Sequence, residues 1–77
     1  MNLKNNEILR LNKDIDLQKN EYEFHRDVID VIGVSGDKSE KALRVIVYST
    51  RRAGELAESI ETNKRRLREL MSNQKKT

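Results

Sequence analysis

Apolar residues recur every seven positions on both sides of a short glycine-bearing break, and few folds accommodate that repetition. Before the break, Ile8, Ile15, Tyr22 and Ile29 alternate with Leu11, Gln18, His25 and Ile32. After it, Ile46, Ala53, Ile60 and Leu67 alternate with Ala42, Ser49, Leu56, Asn63 and Leu70. Such spacing draws one stripe down a helix, and two helices bury their stripes by packing along a single seam. The break, GVSGDKS over residues 33–39, offers Gly33 for the left-handed position after a helix and Gly36 for a turn. Asp37 followed by Glu40 has the pattern of a capping box that opens the second helix. The expected fold is all-α, an antiparallel hairpin of two long helices with its turn near residues 33–38. Residues 1–77 form one domain in this reading, with a basic tail expected to fray from about residue 72.

The hairpin makes its own pairing prediction. Folding back at about residue 35.5 sets Ile29 against Ala42, His25 against Ile46, Tyr22 against Ser49 and Gln18 against Ala53, then Ile15 against Leu56, Leu11 against Ile60 and Ile8 against Asn63. Bulky side chains then meet small ones in the middle layers, as dense packing requires. Glu21 falls near Arg52 and Glu7 near Arg66. Exposed pairs of this kind contribute only ~0.2–1 kcal/mol each, so they select register more than they stabilise. A competing reading makes VIDVIGV and RVIVYST, residues 28–34 and 44–50, the strands of a β-hairpin. The seven-residue spacing runs unbroken through both stretches and favours helices.

Composition points to a partner subunit. The chain has 77 residues, no cysteine and a single His25, so disulfides and the usual zinc sites are excluded and the core is small. Phe24, Val28, Val31, Val45 and Tyr48 fall off the seam, which leaves the half near the turn apolar almost all round. These five residues are the expected oligomer interface, giving a dimer or higher homo-oligomer with a four-helix or larger bundle. Charged residues make up 38% of the chain and proline is absent, a mix suited to long solvated helices. No apolar run approaches the ~20 residues of a membrane span, and the opening MNLKNNEILR lacks the apolar core of a secretion signal. No membrane association is expected, and a cytoplasmic location is.

Three functional classes follow. The leading one is a non-enzymatic adaptor or regulator, of the kind common in phages and plasmids, that self-associates and binds a protein partner. The second is RNA or DNA binding through a basic strip of Lys64, Arg65, Arg66 and Arg68. Residues 35–77 hold eleven basic side chains against six acidic, whereas residues 1–34 hold five against seven. The third is capture of a small phosphorylated ligand such as a nucleotide at Tyr22, His25, Tyr48, Arg51 and Arg52, with the tyrosines for stacking and the arginines for the phosphate. The same polar layer, Gln18, Tyr22, His25 and Ser49, has a purely structural reading as a device that fixes register.

Catalysis has less to stand on. A single histidine without a neighbouring nucleophile does not make a hydrolytic site, so neither enzymatic activity nor a cofactor is expected. LRLNKDIDLQ resembles the opening of the first helix of the chorismate mutase family, with an arginine and an Ile-Asp pair. The likeness covers about ten residues, the rest of that family's active-site framework has no counterpart, and its third helix is lacking. No catalytic role is therefore carried onto Arg10 or Asp14.

Overall fold

The computed structural model describes residues 3–75, which form two helices, α1 (Leu3–Ser35) and α2 (Glu40–Lys75), packed against each other along their length. The molecule is a rod 58 Å long and about 17 Å across. Residues 28–34 and 44–50 are helical throughout, so the β-hairpin alternative is not adopted. Helix α2 continues past residue 72 to Lys75, while Lys76 and Thr77 lie outside the described residues.

Burial follows the heptad closely. Leu11, Ile15 and His25 on α1, with Ala42, Ser49, Ala53, Leu56, Ile60 and Leu70 on α2, are the buried residues, and each occupies one of the seven-residue series. The remaining members of both series, from Ile8 to Leu67, are half-buried. One flank of the seam is more sheltered than the other. Glu7, Val28 and Arg52, each immediately preceding a seam residue, are also half-buried, against Lys64 alone among the positions that follow one.

The turn corrects two expectations. Gly33 lies inside the last turn of α1, and it is Gly36, with φ of 71°, that takes the left-handed position ending the helix. Asp37 does not cap α2. Ser39 does, accepting the Ala42 N–H at its Oγ (3.2 Å), while its carbonyl accepts the Leu43 N–H (3.0 Å). Asp37 acts one step earlier, where its Oδ1 accepts the Ser39 N–H at 2.9 Å and closes a local turn. Ser35 ties off the other side, donating to the Ile32 carbonyl at 2.8 Å and accepting the Asp37 N–H at 3.2 Å.

Because the turn occupies residues 36–39, the fold-back is centred about two residues later than the sequence pairing assumed. His25 is hydrogen-bonded to Ser49, and Tyr22 lines a groove together with Ala53. Side chains on both helices also lean toward their own N-termini, which in an antiparallel pair inclines them toward each other. That tilt lets Gln18 reach along the seam to accept a hydrogen bond from Asn63 at 3.0 Å, although the two were assigned to different layers.

Candidate functional site

The residues with the most unusual surroundings cluster in the half of the rod nearest the turn, here called the head. His25 and Ser49 are 5% and 2% exposed, and His25 Nδ1 is hydrogen-bonded to Ser49 Oγ at 3.2 Å. A buried polar pair is tolerated when its members satisfy each other, and no buried side-chain nitrogen or oxygen among the described residues lacks a partner. Two aromatic rings flank the imidazole. Phe24 lies edge-on at 5.4 Å between centroids and Tyr48 at 5.7 Å, so the histidine is a hinge of contact between the two helices.

Above this layer the head exposes a broad apolar face. Phe24 and Tyr48 are each 62% exposed, Val31 is 67% and Val45 is 41%, while Val28 is half-buried between them. All five lie on the sheltered flank of the seam, the same side as the Arg52 to Glu21 ion pair. Helical spacing gathers them: residues 24, 28 and 31 make one stripe on α1, and 45 and 48 continue it on α2. Leu43, Val47 and Val34, outside the five residues expected from the sequence, are also exposed and widen the apolar surface around the head. The four-residue step from Leu43 to Val47 was the available signal.

The residues considered for a phosphorylated ligand do not converge. Tyr22 borders a groove on the opposite flank, with Arg26, Thr50, Ala53 and Gly54. Tyr48 and Arg51 share a shallow groove of about 390 Å³ on the outer side of α2, floored by Leu43 and Val47 and bordered by Arg44. Arg44 is bonded there to Glu40 at 2.7 Å. Arg52 is occupied elsewhere, 3.1 Å from Glu21 and 4.0 Å from Glu55. The hydrogen bond and charge of Glu21 raise the guanidinium further above its ordinary value, with Glu55 and Tyr48 adding to the effect.

The basic strip is also divided. Arg66 sits at the seam margin, 3.1 Å from Glu7 and 3.6 Å from Glu69, so it forms the Glu7 pair expected from the sequence while its side chain stays 49% exposed. Lys64 is half-buried, while Arg65 and Arg68 are exposed and form no ion pair among the described residues. No group of three or more metal-ligating side chains comes together among the described residues, and no described helix is long and apolar enough to cross a membrane.

Comparison with protein-family models, with curated proteins and with solved structures finds no match to this chain.

Proposed function

We propose that this chain is a non-enzymatic helical adaptor or regulator that self-associates through its head and holds a protein partner in the resulting assembly. The observation that carries this is the exposed face of Phe24, Val31, Val45 and Tyr48, seated on the satisfied His25–Ser49 layer. Contiguous apolar patches of several hundred Å² mark interaction sites on small soluble domains. The polar layer beneath supports the same reading, because a seam with a fixed register presents one defined surface.

Phe24→Glu and Val45→Glu test it. Both residues are exposed in the single hairpin, so each variant is expected to keep its helical circular dichroism while its mass in light scattering falls from a multimer to one chain. An unchanged mass in both variants, or a parent protein that is already a single chain at tens of micromolar, overturns the reading.

A second reading, nucleic-acid binding, is favoured by one observation, the unpaired exposure of Arg65 and Arg68 near the end of α2. The strip carries no interleaved aromatic residue, so it fits phosphate contact without base recognition. Arg65→Gln with Arg68→Gln is expected to abolish a salt-sensitive complex with duplex RNA or DNA. An affinity that does not change removes the strip from consideration.

A further inference from the structure

Charge is distributed along the rod as unevenly as apolar surface is. The third of the rod farthest from the turn, the tail, comprises residues 5–13 and 61–73 and carries six basic side chains against three acidic. The head and middle, residues 14–60, carry seven basic against ten acidic. Two copies that cover each other's head face can lie parallel, with tails side by side, or antiparallel, with tails at opposite ends. Head-to-head repulsion is common to both arrangements, whereas the tail term differs between them. Parallel tails of like charge would lie within about two Debye lengths, whereas antiparallel tails lie far beyond one, at ~8 Å in physiological salt.

The borders of the apolar face favour the same choice. On the turn side the face is bounded by Lys41, and on the far side by Glu21, Arg52 and Glu55. With a rise of ~1.5 Å per residue, a two-fold axis crossing the rod ~15 Å from the turn superposes these borders. It brings Phe24 over the second copy's Val31, Val28 over Val28, Tyr48 over Tyr48 and Lys41 over Glu55. A parallel pair instead sets Lys41 beside the neutral Ser35 region and leaves Glu55 with only its own chain's Arg52, at 4.0 Å.

The area is sufficient for one occupant of this size. Given ~150–250 Å² for a fully covered aromatic side chain, the exposed fractions of the four residues leave on the order of 500 Å² per copy. Two such faces reach on the order of 1,000 Å², where specific association begins.

We infer that the occupant of the head face is a second copy of this chain, packed antiparallel over the head alone, so that the dimer is a longer rod with a basic tail at each end. The inference rests on the self-association reading above and adds its geometry. A molecule built this way presents two anion-binding ends that face away from each other, which suits it to bridge two acidic surfaces rather than grip one.

The native chain has no cysteine, so a single nitroxide at Thr62→Cys reports the arrangement directly. Thr62 is exposed and lies outside the head face. In a dimer of confirmed mass, pulsed electron paramagnetic resonance is expected to give a label separation of about 45 Å at ~1.5 Å rise per residue. A separation under about 25 Å in a dimer of confirmed mass overturns the antiparallel arrangement and leaves self-association standing. A single-chain mass overturns self-association itself, and the arrangement with it. Independently, Lys41→Glu is expected to weaken dimerisation roughly threefold to tenfold, with Glu55→Lys in the same chain restoring it. Loss without restoration counts against the antiparallel pairing.

Discussion

His25 and Ser49 are hydrogen-bonded at 3.2 Å across the seam although 24 residues separate them in the chain, and both are almost wholly buried. A polar contact in that position discriminates between registers more sharply than an aliphatic one. Sliding one helix by a residue leaves each group buried without a partner, whereas two leucines would find another contact.

Ser49→Ala isolates this effect. It leaves the imidazole nitrogen unpaired, which is expected to lower stability by about 1–3 kcal/mol. The double variant His25→Leu/Ser49→Ala, apolar on both sides, is expected to recover most of the loss. Urea titration of the three proteins followed by circular dichroism reads the difference, and equal midpoints for parent and single variant would show that the pair contributes nothing.

Gly33 and Gly36 are three residues apart and should respond oppositely to alanine. Gly33 is helical with open space where a Cβ would stand, so Gly33→Ala is expected to raise stability by about 0.4–1 kcal/mol. Gly36 also has open space, but its φ of 71° disfavours any L side chain, and Gly36→Ala is expected to lower stability by about 1–2 kcal/mol. Shifts of the thermal midpoint in the same direction would contradict the placement of the turn.

The turn also carries a pH response. The Asp37 carboxylate is held below its ordinary range by the Ser39 backbone N–H and then by the Ser39 hydroxyl. A depressed folded-state value means that this contribution is complete above the unfolded carboxylate value near 3.9 and disappears as pH falls through the lower folded value. Acidification through that window is expected to speed amide exchange in the first turn of α2, at Ser39, Ala42 and Leu43. In Asp37→Asn, which keeps an acceptor but no charge, that acid step should vanish. Its persistence would place the titrating group elsewhere.

Leucines separate the seam from the surface. Leu56 is 2% exposed, and Leu56→Ala is expected to cost about 2–5 kcal/mol, enough to unfold a small hairpin near room temperature. Leu17, 58% exposed, should lose no more than about 0.5 kcal/mol on the same change. Thermal melts monitored by circular dichroism compare them directly.

The helices, the seam residues and the ion pairs of Glu21 with Arg52 and Glu7 with Arg66 were legible because each rests on spacing, which a sequence displays. The exact facing of His25 was not. It depends on where the turn falls, and GVSGDKS holds two glycines and two candidate caps whose competition is settled only when Gly36 adopts positive φ and Ser39 captures Ala42. The proposed ligand constellation is broken up by flank, not by register. Tyr22 and Arg52 are neighbours in seam order but lie on opposite flanks, a distinction that a list of heptad positions does not carry.

The four-residue turn also sets the order in which this molecule opens and closes. His25 and Ser49 are separated by 24 residues, Glu21 and Arg52 by 31, and Glu7 and Arg66 by 59. Each doubling of an open loop adds ~0.6 kcal/mol to its closure, so the contacts nearest the turn form first and bring the next layer within reach. The seam closes like a zipper whose slider starts at Gly36, and thermal opening runs back from the tails toward it. The basic ends are thus the first parts of the rod to part, while the head is the last to let go.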